Sequence, residues 1–113
     1  DPLARFTASL TRLRELPAAT RVLPAHDWPF ENLHGRIDTL LAFHDARLEA
    51  TLAAIGRGAT AFEVMGALFP RVDDVHQLRF ALGETLAHLN RLVADGGLVR
   101  ATEDGRWRFV PAR

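Results

Sequence analysis

A mainly α protein is what this sequence predicts: three helices and a C-terminal β-hairpin over residues 32–113, preceded by a separate helix and short strand over residues 1–31. Three observations carry that prediction. Apolar residues recur at helical spacing in three stretches after Asn32. An Asp104-Gly105 pair sits between two short alternating runs near the C-terminus, a strong hairpin signal. A proline-rich stretch, residues 24–31, separates this pattern from the first helix. Helix, helix, helix, hairpin is the order of a winged helix.

Each element has its own local signals. Asp1-Pro2 starts a helix, with Asp as cap and Pro in the first turn, and Leu3, Phe6, Leu10 and Leu13 form its apolar stripe up to Leu16-Pro17. Thr20 to Leu23 reads as a short strand closed by Pro24. Asn32 caps a long helix with Gly35 in its first turn and Ile37, Leu41, Leu48, Leu52 and Ile55 on one face. Gly56-Arg57-Gly58 stops it. Thr60 and Glu63 make a capping box for a short helix that ends at Phe69-Pro70. Asp73 or Asp74 caps the last helix, whose stripe is Val75, Leu78, Leu82, Leu86, Leu89 and Val93. Asp95-Gly96-Gly97 ends it, and the runs Leu98–Thr102 and Arg106–Val110 form the hairpin.

Composition narrows the function classes. The chain has 113 residues, 48% hydrophobic and 25% charged, enough for one small globular domain with an appendage. Fourteen basic residues, all Arg, balance fourteen acidic ones, so no basic excess is available for nucleic-acid phosphates. The last helix carries Arg79 and Arg91 against Asp73, Asp74, Glu84 and Asp95, which opposes docking in a DNA groove. With no cysteine there is no disulfide and no thiolate metal site, which fits a cytoplasmic protein. No apolar run approaches the ~20 residues of a membrane span, and no signal peptide is evident. The first residue is Asp rather than Met, as in a fragment or processed product.

The stretch Ser9-Leu10-Thr11-Arg12-Leu13, then Leu16-Pro17, then Val22-Leu23-Pro24-Ala25-His26, resembles the closing part of metallo-β-lactamase-fold hydrolases. The run from Leu78 to Leu89, followed by Leu92-Val93-Ala94-Asp95-Gly96, resembles the winged-helix domain of the β-lactamase-2-like branch of that superfamily. The resemblance implies that residues 1–31 are the end of a catalytic domain and residues 32–113 a winged-helix domain. It also implies a parent hydrolase with zinc or another divalent metal, acting on an ester, thioester or phosphodiester.

By the same resemblance, His26 is the last metal ligand, the only functional residue of the family that carries over. A Pro-Gly-His-Gly turn is common in the family. Here Ala25 and Asp27 replace both glycines. If either position needs positive φ, Asp tolerates it better than Ala. The His-x-His-x-Asp-His signature is absent from the sequence. A catalytic zinc site needs about three protein ligands. The chain alone is therefore expected to be inactive and to hold no metal, its partner being the missing N-terminal catalytic domain.

Other candidates follow from residue chemistry. Trp28, Phe30 and Phe43 form either an aromatic wall beside a substrate or plain loop packing. Arg100, Arg106 and Arg108 on the hairpin either steer an anionic substrate or are solvated edge residues. His44, on the stripe of the long helix, reads as a partly buried histidine with one hydrogen bond. His34 and Asp38, four apart, could share a metal but lack a third ligand. His76 and His88 receive no role. Two alternative functions stand beside the hydrolase: a winged-helix DNA-binding transcriptional regulator, and a domain for subunit contacts, including a homo-oligomer. Finally, cutting a helix and strand from a larger domain predicts that Leu3, Phe6, Leu10 and Leu13 lose their partners, leaving residues 1–31 mobile or packed on a second copy.

Overall fold

A computed structural model describes residues 1–113. Four helices and a hairpin follow one another: α1 (Pro2–Leu13), α2 (Leu33–Ile55), α3 (Ala61–Leu68), α4 (Val75–Ala94), β1 (Leu98–Glu103) and β2 (Arg106–Pro111).

Local chemistry sets the boundaries. The Asp1 carboxylate accepts from the Ala4 N–H, and Asp74 does the same for Gln77, so Asp74 rather than Asp73 caps α4. Asn32 accepts from the Gly35 N–H at 3.1 Å while itself left-handed, at φ 65°. A Cβ at Gly35 would run into that Asn32 side chain, which explains the glycine in the first turn. Thr60 and Glu63 form the reciprocal capping box of α3. In the hairpin, Asp104 and Gly105 take φ values of 49° and 73°, the two positive angles that a two-residue turn matched to strand twist requires. Glu103 then faces Arg106 and Leu98 faces Pro111.

The main core lies where α2, α3, α4 and the hairpin meet: Ile55, Ala59, Val64, Leu89, Leu98 and Phe109 are all buried. Ala59 exchanges backbone hydrogen bonds of 2.9 and 2.8 Å with Phe109, so the link between α2 and α3 pairs with the hairpin. A second, thinner cluster of Leu10, Leu33 and Ile37 holds the N-terminal arm.

Three expectations need correction. Residues 20–23 do not form a strand: Val22 pairs only with Phe30, through hydrogen bonds of 2.8 and 3.0 Å, and no neighbouring strand exists to extend the ladder. The buried face of α4 is Ala81, Thr85, His88 and Leu89, rotated from the leucine stripe. The Thr85 hydroxyl donates to the Ala81 carbonyl and the His88 ring meets the Glu84 carbonyl, so these polar side chains can be buried, while Leu82 and Leu86 line an open groove beside Phe62 and Trp107. On α2, Thr51 is buried while Leu52 is exposed, the Thr51 hydroxyl donating to the Arg47 carbonyl at 2.7 Å.

The first helix is not stripped of partners either. α1 lies across α2 and α4, burying Leu3 and Leu10, while Phe6 and Leu13 remain 41% and 45% exposed. Half of its stripe is satisfied within the chain.

Candidate functional site

His26 sits on a loop pinched at its base by the Val22–Phe30 pair. Pro24 and Pro29 stiffen that loop. Asp27 takes φ 67°, whereas Ala25 stays out of the left-handed region. The replacement of the second glycine by Asp thus falls on the one position of the turn that needs positive φ, and Asp, with Asn, tolerates that conformation better than most non-glycine residues. The imidazole of His26 is exposed, at the edge of a hollow of about 290 Å³ lined by Pro24, Asp27, Trp28, Phe30 and Arg36.

Trp28 stands beside it, 86% exposed. A tryptophan this open is not packing the loop onto α2. Phe43 does not join it: its ring meets His44 edge-on and lies 5.4 Å from the Arg47 guanidinium. The aromatic wall therefore reduces to Trp28 and Phe30.

The chain offers no group of three or more His, Cys, Asp or Glu side chains placed to hold a metal ion. His26 and its neighbours do not by themselves fit a zinc ion, which calls for about three protein ligands. His34 and Asp38 are each engaged otherwise: the His34 ring meets the Leu16 carbonyl at 2.8 Å, and Asp38 forms a two-point ion pair with Arg14. Hydrogen bonding from Arg14 holds the Asp38 carboxyl below the usual range. These contacts fasten the end of the arm to α2.

The hairpin arginines lie elsewhere. Arg108 donates to the Gly58 carbonyl at 2.9 Å and reaches Glu103 at 3.5 Å, and Arg100 lies 4.2 Å from the Trp107 ring centroid. Arg106 shares a polar hollow with Thr60, Glu63, Glu103, Asp104 and Arg108. Gly58 follows the C-terminus of α2, whereas Arg36, beside His26, opens it. The helical rise over residues 36–55 separates them by roughly 29 Å. His26 and Trp28 come together; Arg106 and Arg108 share one face of the hairpin at the far end of α2, and Arg100, opposite Phe109, lies on the other face.

On α4, Arg91 is bound to Asp95 at 2.8 Å and faces Asp1 at 3.9 Å. The expected contact of His44 is made with His88, a partner the sequence did not indicate. Its only trace there was that both lie on helices with apolar faces.

Comparison with known proteins gives this geometry a context. The profile of the family described as "Metallo-beta-lactamase-like, C-terminal domain" matches residues 48–112. A beta-lactamase domain protein from Burkholderia ambifaria has a solved structure that is 43% identical, with a TM-score of 0.90, over 98% of this chain and 34% of that one. A metallo-beta-lactamase family protein from Thermus thermophilus is 38% identical, with a TM-score of 0.82, over 97% of this chain and 33% of that one. No curated protein matches the sequence. The chain spans about a third of the length of these two solved relatives. With more than half of its residues matching the family profile, and a likeness to the solved relatives that runs through the His26 loop, the chain belongs to the metallo-beta-lactamase-like C-terminal domain family.

Proposed function

We propose that this chain is the C-terminal portion of a metal-dependent hydrolase, with zinc or another divalent ion, acting on an ester, thioester or phosphodiester. Residues 1–31 would close the catalytic domain and supply His26 as one metal ligand. Residues 32–113 would be a winged-helix scaffold bordering the substrate cleft, with Trp28 on its substrate side.

The observation that carries this reading is the His26 loop. It presents an unburied imidazole on a stiffened turn with its left-handed residue at Asp27, and it lies within the 97–98% of the chain that aligns with solved relatives about three times as long. The remaining ligands belong to residues outside this sequence, so the chain alone is expected to be inactive. No helix is long and apolar enough to cross a membrane, which fits the cytoplasmic location that belongs to the same proposal.

The DNA-regulator alternative is weakened by the state of α4. With Arg91 tied to Asp95 and facing Asp1, Arg79 is the one arginine of that helix without a carboxylate partner. We therefore expect duplex DNA binding no tighter than ~10⁻⁴ M at physiological salt, against ~10⁻⁸ M or better for specific regulators. Submicromolar binding lost on Arg79→Ala would replace the hydrolase reading.

The deciding experiment extends the chain by the residues encoded upstream. We expect a His-x-His-x-Asp-His motif there, bound divalent metal, and hydrolysis abolished both by chelator and by His26→Ala. An upstream sequence without that motif, or turnover indifferent to His26→Ala, would remove the proposal.

A further inference from the structure

Two histidines, His88 buried and His44 half-buried, meet at the junction of α1, α2 and α4. The rings of His44 on α2 and His88 on α4 stack with centroids 5.3 Å apart and 28° between planes. His44 Nδ1 lies 3.2 Å from His88 Nε2, and His88 Nδ1 lies 2.8 Å from the Glu84 carbonyl oxygen. His88 is buried, and Phe6 of α1 covers His44 edge-on at 5.5 Å.

Hydrogen-bond logic fixes where the protons are. A carbonyl oxygen only accepts, so His88 Nδ1 carries hydrogen. In a neutral ring, His88 Nε2 is then a lone pair, and His44 Nδ1 must donate to it. One chain of donors runs from His44 through His88 to Glu84. A first added proton has one open position, His44 Nε2. His44 Nδ1 still donates to His88 then, so the added charge leaves the 3.2 Å contact in place and sits under Phe6.

We infer that the His44–His88 pair is an acid-sensitive joint: when neutral it lets Phe6 of α1 close over His44, and when His44 is protonated its bond to His88 persists but α1 and the arm that follows it are released, which returns the charged ring to water. The inference does not depend on the hydrolase reading.

The surrounding charges set its direction. Burial, and then the neighbouring His88, push His44 below the ordinary histidine range; Arg47 acts the same way, while Glu84 and Asp45 oppose them. Glu84 is itself held by Arg47 at 3.6 Å, with its Oε1 buried and lacking a hydrogen-bond donor. At the α1 seam, Asp1 and Arg91 face each other. The one ionisable side chain of α3, Glu63, is committed to the cap at Thr60. A histidine whose folded pKa lies below its unfolded value near 6.5 adds stability in full above that value. The contribution is lost as pH falls through the folded pKa.

The test is NMR on the ¹⁵N-labelled chain between pH 7.5 and 5. We expect both rings as Nδ1–H tautomers at the upper end and a His44 midpoint below that of a free histidine. Over the same step, protection factors of α1 amides should fall, by at most about tenfold per pH unit, while those of α3 and the hairpin hold. His44→Phe keeps a ring in the stack and removes the proton, so its α1 protection should be flat with pH. If that variant does not fold, the wild-type tautomers and the confinement of the loss to α1 decide the matter. An Nε2–H tautomer of His88 at neutral pH, pH-independent α1 protection in the wild type, or an unchanged fall in His44→Phe would each overturn the joint.

Discussion

The C-terminal body and the N-terminal arm of this molecule are held by different means. In the body, six buried apolar residues from three helices, the hairpin and the Ala59 link converge on Phe109, which is fully buried. The arm is held at a seam with α2, where Leu10 of α1 meets Leu33 and Ile37, with help from Arg14–Asp38 and the His34–Leu16 contact. Leu16, Leu23 and Trp28 meanwhile remain exposed. We expect the body to fold on its own contacts, with the arm docked on it. The residue we propose as a metal ligand, His26, is on the arm.

If that difference is real, mutations should separate the two regions. Phe109→Ala empties the centre of the body, and we expect a loss of about 3–5 kcal/mol in urea unfolding, with both regions unfolding together. Leu10→Ala should cost about 2 kcal/mol, the low end for a large-to-small change because a thin cluster can collapse. NMR should show it as loosening of α1 with hairpin shifts unmoved. Loss of the hairpin signals in Leu10→Ala would mean that arm and body form one unit.

Smaller effects sharpen the picture. Thr60→Ala removes the α3 cap and should lower stability by about 1 kcal/mol, read in the body alone. Asp27→Gly, at φ 67°, should stabilise the His26 turn by a fraction of the ~1–2 kcal/mol left-handed penalty, visible as slower exchange at Val22 and Phe30. Arg14→Ala should have the smallest effect, because its ion pair with Asp38 is exposed to solvent and screened by salt. Asp38 is held below its usual pKa, so the pair contributes above the normal carboxylate range and is lost as pH falls through the depressed value. Urea midpoints of wild type and Arg14→Ala should converge in acid and at high salt.

What could be read from the sequence follows from how far each signal reaches. Caps at Asp1, Asn32, Thr60 and Asp74 and the Asp104-Gly105 turn are decided within four residues, and all are present in the structure. The buried face of α4 was not legible: Leu82 and Leu86 satisfy the same helical period as Ala81 and Thr85, and only the neighbouring helix decides which row it can approach. The expected strand at Thr20–Leu23 had the right residues but no strand beside it to pair with. His44 and His88 are 44 positions apart, and no local pattern announces their contact. Likewise, the spacing of residues did not reveal that α2 holds the hairpin arginines far from His26.

Native-state hydrogen exchange at one neutral pH, under increasing urea, tests the division between body and arm most directly. The account predicts that amides of α4 and β2 open only with the whole molecule. Those of α1 should open at lower free energy and with weaker urea dependence, as a separate unit. Equal opening free energies and equal urea dependence in α1, α4 and β2 would contradict it.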